Sequence, residues 1–349
     1  MNKSILYVGP SLNEVGGVSF YCKSILDKYA GDIEYFSFPI KMKMKPWLYI
    51  KVIIGLVVRV MKRKYDIVQF NTSFNTNAIV RDALLLLITN MINKNIVVFI
   101  HGWDVEFVNS ITGIRKFVLI SILNKATRIL VLANEFRECL ISLGVVTDII
   151  VETTCYPEEY DGLSIDLRYK NNTSRILFIS RIEKEKGVFE LVDACSKLVE
   201  NNSELQLDIA GVGPDFQELS RYINNKKLSF VNLHGAVIGQ NKIDLFNKAD
   251  IFCLPTYYGE GLPVTILEAM KFGLPVITCQ TGGIVDVFND GENGFYVQKR
   301  SVSDLRDKIR ILLSDQVIST RISKNNISRS NDFSPRIVSE RLLKLYSSI

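Results

Sequence analysis

Short, unbroken apolar runs rich in β-branched residues recur along the chain, separated by segments whose apolar positions follow a helical period. In the first half the runs are 5–8, 33–38, 67–70, 96–100, 128–132 and 148–152. Runs of this length without polar alternation predict parallel strands covered on both faces. Helices are predicted between them over 18–29, 46–63, 77–92, 111–124 and 134–143. The polar stretch 158–174 breaks the rhythm and reads as a linker. Alternation then restarts, with strands over 175–180, 206–210, 230–233, 251–254, 275–279 and 295–297. Helices begin near Gly187, Pro214, Gln240, Gly261 and Gly283, and the chain beyond Ser301 is helical, with a break over 331–335. The expected architecture is α/β: two doubly wound domains, 1–158 and 159–330, facing across a cleft. A C-terminal helix, 331–349, crosses back to pack on the first domain. In such sheets ligands bind beyond the carboxyl ends of the strands, so the loops after strands carry the chemistry.

With 349 residues the chain is long enough for two ordinary domains, and 47% hydrophobic with 23% charged residues is a globular composition. Its net charge of +5 is modest but uneven. Segment 41–64 holds eight basic residues and no acidic one, with Trp47 and Tyr49 near one end. It is too short and too interrupted to span a bilayer. Two readings stand, an interfacial helix on an anionic leaflet or a crossover helix with solvated basic ends. The six cysteines are scattered, with no C-x-x-C and no histidine at metal-ligand spacing, which fits a reducing compartment. No metal and no cofactor are expected. The N-terminus reads as a first strand rather than a leader.

The richest loop is Glu260-Gly-Leu-Pro-Val-Thr-Ile-Leu-Glu268, between a strand and a helix. Eight residues of helix rise ~12 Å, whereas a hydrolytic carboxylate pair sits roughly 5 to 9.5 Å apart. The spacing suits gripping two ends of an extended ligand; the alternative is an acidic first turn that favours the helix dipole. Gly16-Gly17 opens a helix after the first strand and lets an anion approach the backbone. It is not a G-x-G-x-x-G pattern, so a dinucleotide is disfavoured; a plain glycine turn is the other reading. His101, one of two histidines, ends the fourth strand before Gly102-Trp103-Asp104 and is a candidate for touching substrate or for a structural role. Arg181 and Lys186 flank the loop after the first strand of the second half. They either converge on a diphosphate or pair locally with Glu183 and Glu185. Gly211-x-Gly213 and Gly282-Gly283 follow later strands. The polar run beginning at Asn71 suits a sugar or caps a helix.

In order and spacing, Arg181 with Lys186-Gly187, Gly211-x-Gly213, Glu260-x7-Glu268, Gly282-Gly283 and Asp290-Gly-Glu-Asn-Gly-Phe295 resemble the GT-B-fold retaining glycosyltransferases of family 4. The likeness covers the second half closely and the first half, through Gly16-Gly17 and His101-Gly102, more loosely. It implies two Rossmann-like domains, with a nucleotide-diphospho-sugar, expected to be a UDP-sugar, held mainly by the second. By the same resemblance Glu260 touches the donor sugar, Glu268 the ribose hydroxyls, and Arg181 and Lys186 the diphosphate. His101 contacts the sugar or orders the reaction face. Backbone groups near Gly16, Gly17, Gly211, Gly213, Gly261, Leu262 and Gly283 complete the donor site. Where many family members carry Gly, this chain has Pro263, which lacks an N–H. Asn71, Trp103 and Asp104 are candidates for the acceptor side.

The implied reaction is metal-independent transfer of a hexose or N-acetylhexosamine, with retained anomeric configuration. The acceptor is a glycan or lipid-linked oligosaccharide in bacterial surface polysaccharide (O-antigen or capsule) synthesis. The protein is then cytoplasmic and peripheral on the inner membrane face, with no nucleic-acid partner. A GT-B sugar-nucleotide epimerase or phosphorylase, or a non-catalytic nucleotide-sugar-binding subunit, is the alternative.

Overall fold

The apolar runs of the first half become six strands: β1 (Ser4–Pro10), β2 (Asp32–Phe38), β3 (Ile67–Phe74), β4 (Ile96–Trp103), β5 (Arg128–Val131) and β6 (Asp148–Val151). The computed structural model describes residues 3–14, 16–28, 31–38, 46–93, 95–163, 174–200, 204–259 and 261–349. The six strands pair in parallel in the order β2-β1-β3-β4-β5-β6. Helices α1 (Gly17–Leu26), α2 (Pro46–Lys62), α3 (Thr76–Ile92), α4 (Val105–Asn109), α5 (Gly113–Leu123) and α6 (Asn134–Leu143) connect them. Right-handed crossovers put α2, α3 and α5 on one face of the sheet and α1 on the other. With both faces covered, the strands are buried almost without alternation, which is why their sequences read as continuous apolar runs.

A second parallel sheet, in the order β12-β11-β10-β7-β8-β9, is built from β7 (Ser174–Ile179), β8 (Leu205–Ala210), β9 (Val231–Gly235), β10 (Ile251–Leu254), β11 (Val276–Thr278) and β12 (Gly294–Tyr296). Its helices are α7 (Val188–Glu200), α8 (Phe216–Asn225), α9 (Gly239–Lys248), α10 (Val264–Lys271), α11 (Ile284–Val287), α12 (Val302–Ser314) and α13 (Gln316–Ser330). The chain divides into two compact units. One comprises Met1–Glu158, Gly259–Leu262 and Ser334–Ile349; the other comprises Glu159–Tyr258 and Pro263–Phe333.

The last helix, α14 (Pro335–Ser347), belongs to the first unit although it follows the second in sequence. Ser334 caps it by accepting the Ile337 N–H, and Pro335 occupies the first turn, where its missing N–H costs nothing. Val338, Leu342 and Tyr346 bury one face, which packs against α1. Arg341 donates to Glu152 Oε1 at 2.7 and 3.0 Å, and Arg128 donates to the Leu345 carbonyl at 3.0 Å.

Several boundaries differ from the sequence reading, among them the ends of β3 and β4, which run on to Phe74 and Trp103. The short α4 was not expected; Asp104 creates it by accepting the Phe107 N–H at 3.0 Å. The helix α1 ends at Leu26, where Asp27 takes the C-cap position. The helix α10 starts at Val264 rather than near Gly261, because Pro263 is extended (φ −63, ψ 118) and serves as N-cap instead of sitting in the first turn.

Candidate functional site

In the first sheet the strand order reverses between β1 and β3, so the carboxyl ends of β1, β3 and β4 frame the place where such folds receive ligands. The register of β3 on β4 slips there: Thr72 pairs with Ile100 but Ser73 pairs with Gly102. His101 is the extra residue of this bulge, a device that re-aims one side chain without interrupting the sheet. Its ring stacks on Phe99 at 4.0 Å, and Tyr21 of α1 tilts against it at 4.7 Å. Burial pushes the imidazole down to about 3, so it is neutral at physiological pH. Its Nε2 lies 3.1 Å from Asn71 Oδ1. Asn71 is itself buried, and among the described residues its Nδ2 has no hydrogen-bond partner. A buried amide left with an open donor loses about 1–3 kcal/mol, which a ligand oxygen would recover.

Gly16 and Gly17 stand where α1 begins, and among the described residues no atom lies within 4 Å of a Cβ built at either. Nothing in the packing demands glycine there. Gly261 is different: its Cβ would lie 2.6 Å from the His101 carbonyl oxygen, so the turn holding it passes directly over the end of β4. Leu262 beside it is buried. Glu260 lies outside the described residues. Trp103 and Asp104, expected on the acceptor side, have structural work. Trp103 is sandwiched between Phe74 (4.8 Å) and Phe136 (4.2 Å), and Asp104 spends its carboxylate capping α4.

In the second sheet the order reverses between β7 and β10, and the loops after these two strands carry Arg181, Lys186 and residues 255–258. The two loops are tied together by the Tyr257 N–H, which donates to the Glu185 carbonyl at 2.9 Å. Lys186 is buried at the start of α7, its Nζ 5.3 Å from the centre of the Tyr258 ring. Arg181 pairs with Glu183 at 2.7 Å with its side chain 70% exposed, so the local ion pair forms while the guanidinium stays accessible. Gly211 and Gly213 are explained by packing: their Cβ atoms would sit 1.8 Å from the Ser180 carbonyl oxygen and 2.3 Å from that of Ile182. These glycines let the Arg181 loop lie on the end of β8. Gly283 caps only the four-residue α11.

Glu268, on the second turn of α10, is fully buried. Lys242 of α9 donates to its Oε1 at 2.6 Å and the Tyr160 hydroxyl lies 3.4 Å from the same oxygen. Burial, and next the carboxylate charge, raise the Tyr160 phenol well above its ordinary value, keeping it a donor. Among the described residues Glu268 Oε2 has no partner. Neither Lys242 nor Tyr160 stood out in sequence, being 26 and 108 residues away from Glu268. Residues 290–295 hold the sheet edge: Asp290 accepts the Tyr296 N–H at 2.7 Å and Asn293 bonds Asn326 at 2.8 Å.

Burial raises the thiols of Cys22 to about 12 and Cys279 to about 11, the opposite of what a nucleophile needs. Among the described residues no group of three His, Cys, Asp or Glu side chains is placed to hold a metal ion. No described helix is long and apolar enough to cross a membrane.

Residues 165–329 match the family described as glycosyl transferases group 1. This stretch, just under half of the chain, is thus similar to the group 1 glycosyl transferases. Among similar proteins is the N,N'-diacetylbacillosaminyl-diphospho-undecaprenol alpha-1,3-N-acetylgalactosaminyltransferase of Campylobacter jejuni. It is 25% identical over 174 residues, 50% of this chain and 44% of that protein. The capsular polysaccharide biosynthesis glycosyltransferase CapM of Staphylococcus aureus is 28% identical over 183 residues, 51% of this chain and 47% of CapM. The chain thus spans about half the length of the curated relatives it matches. Among solved structures, Anabaena HepE in complex with UDP and glucose superposes over 100% of both chains with a TM-score of 0.77 at 18% identity. That likeness establishes the fold, the two-unit GT-B architecture, over the whole chain.

Proposed function

We propose that this chain is a retaining, metal-independent glycosyltransferase that moves a hexose or N-acetylhexosamine from a nucleotide-diphospho-sugar to a glycan or lipid-linked acceptor. The observation that carries the reading is Glu268: a buried carboxylate with one oxygen fixed by Lys242 and the other without a partner among the described residues, on the helix that follows a strand at the switch point. Such a group suits a ribose hydroxyl, since an ionised acceptor hydrogen-bonds about twice as strongly as a neutral one. Lys186 and Arg181, on the neighbouring loop, supply cations for the diphosphate, where negative charge grows as the glycosidic bond to phosphate breaks. HepE was solved with UDP, which supports a uridine donor. In same-face attack the acceptor oxygen bonds to the anomeric carbon as the bond to phosphate breaks. The leaving phosphate oxygen takes the acceptor proton, so no protein base is consumed. Glu260 is assigned to the donor sugar and the neutral His101 with Asn71 to sugar hydroxyls. Titration with nucleoside diphosphates tests the donor site: saturable binding of one of them, UDP foremost, is expected, and no binding of any would remove the reading.

The lipid-linked acceptor and the inner membrane face are supported by the first unit's surface. On α2 Trp47, Ile50, Ile54, Val58 and Met61 form an exposed stripe at helical spacing. The helix packs on α3, which exposes Val80, Leu84, Leu87 and Met91, and α3 packs on α5, which exposes Ile114, Phe117 and Val118. The one acidic residue on the three helices, Asp82, is buried beside Arg81. The charge reading of segment 41–64 needs correction, however. Arg59 and Arg63 are paired with Glu34 and Asp32 of β2, so they do not face a partner freely, and Lys41, Lys43 and Lys45 lie outside the described residues. Apolar insertion therefore outweighs charge in this proposal. Binding to vesicles of anionic lipid is expected to persist in part at about 0.5 M salt, where exposed charges are largely screened. Replacing Ile54 and Phe117 by Ser should abolish it; binding unchanged by those substitutions would rule this face out.

A further inference from the structure

A chain of buried hydrogen bonds runs from the C-terminal helix to His101. Tyr7 and Tyr346 hydroxyls meet at 2.6 Å; Tyr346 donates to Gln69 Oε1 at 2.5 Å; Gln69 Nε2 donates to Asn71 Oδ1 at 3.0 Å; and His101 Nε2 lies 3.1 Å from that same oxygen. Tyr7, Gln69, Asn71 and Tyr346 are each no more than 1% exposed. Gln69 and Asn71 are two apart on β3 and so share a face, the one that α1 and α14 cover.

The order of donors along this chain has a consequence for the ring. An amide oxygen only accepts, so when Asn71 Oδ1 faces both Gln69 and His101, the imidazole must carry its proton on Nε2 and leave Nδ1 as the lone-pair nitrogen. The same order turns Asn71 Nδ2, buried and without a partner among the described residues, away from His101 and leaves it as an open donor. If Gln69 were turned over, its amide would face Tyr346 and its oxygen would face Asn71. Asn71 would then turn too, and His101 would be forced to the other tautomer. The Tyr346 hydroxyl, donating to Gln69 while accepting from Tyr7, selects between these two arrangements.

We infer that Tyr346, a residue remote in sequence on the last helix, is a positioning residue that sets the tautomer of His101 and the orientation of Asn71 through Gln69. Its bearing on transfer rests on the glycosyltransferase reading, but its bearing on the ring does not. With only two histidines in the chain, ring-nitrogen NMR of histidine-labelled protein resolves the question. His101→Gln assigns the signals, and His234, hydrogen-bonded to Asp208 at 2.7 Å, serves as internal control. The expected spectrum of the ligand-free protein has His101 protonated at Nε2. Tyr346→Phe, which keeps the buried ring, should introduce the Nδ1–H form while His234 is unmoved. Asn71→Asp, acceptor-only at the same place, should hold Nε2–H. In the transfer reaction Tyr346→Phe should lower kcat by about 10-fold, as loss of a supporting partner does, with donor KM little changed. A wild-type Nδ1–H ring, or His101 signals indifferent to Tyr346→Phe in protein that folds normally, would overturn the inference. If Tyr346→Phe does not fold, the wild-type and Asn71→Asp spectra decide: loss of Nε2–H in either refutes it. Intact NMR effects with no transfer activity would instead count against the proposed function.

Discussion

Lys186→Ala is expected to lower kcat/KM by about 10² to 10³, the usual cost of removing one group that meets charge developing in a transition state. Lys186 is the better placed of the two cations. It is buried at the mouth of α7 with its ammonium 5.3 Å from the Tyr258 ring, so its charge is little screened, whereas the Arg181 side chain is 70% exposed. Arg181→Ala should therefore cost less, on the order of 10-fold. Lys186→Ala removes, among its contacts, a cation–π pair with Tyr258 worth about 0.5–2 kcal/mol, so stability is measured beside activity. Steady-state kinetics with a fixed acceptor, alongside a thermal melt, checks both. Wild-type rates in a folded Lys186→Ala protein would remove the diphosphate from this loop.

Glu268→Gln should weaken nucleotide binding by about 1.5–3 kcal/mol, the range for a hydrogen bond to a charged group. The substitution keeps shape but exchanges an ionised acceptor for an amide, and it leaves Lys242, whose side chain is 20% exposed, able to turn to water. Calorimetric titration with UDP and with its 2'-deoxy analogue separates ribose contact from loss of stability. The wild-type protein should discriminate against the deoxy compound and the variant should not. Equal discrimination by both proteins would show that Glu268 serves the fold alone. Lys242→Ala offers a contrast. It strands a buried carboxylate, so it should destabilise the protein by about 3–5 kcal/mol as well as weaken binding.

Much of the architecture was legible because parallel strands buried on both faces have no polar face to disguise them; Ile96 to Ile100 reads as a strand in any context. Helix starts were less legible. Pro263 fits either a first helical turn or the extended residue before one, and only the second agrees with ψ 118. Lys186 lies in the loop after β7 and Glu268 on the helix after β10, as their sequence positions imply, whereas β3 and β4 run on to Phe74 and Trp103, so Asn71 and His101 lie within strands. The reason for a residue type was harder to read. Gly211 and Gly16 look alike in sequence, yet a carbonyl fills the space beside the first and nothing fills it beside the second. Trp103 and Asp104 lie two and three residues after His101, but the bulge in β4 and the needs of α4 turn them to other work. The partners that tune the site, Lys242 and Tyr160 at Glu268 and Tyr346 behind His101, come from distant segments. No local pattern marks them.

Product analysis tests the central claim most directly: incubation with a panel of nucleotide-diphospho-sugars and polyprenyl-diphosphate-linked sugar acceptors, followed by mass and anomeric proton couplings. Transfer from one donor, yielding a longer acceptor with the donor's own anomeric configuration and free nucleoside diphosphate, is the result expected. A product of inverted configuration, or free or epimerised sugar released without acceptor, would contradict it.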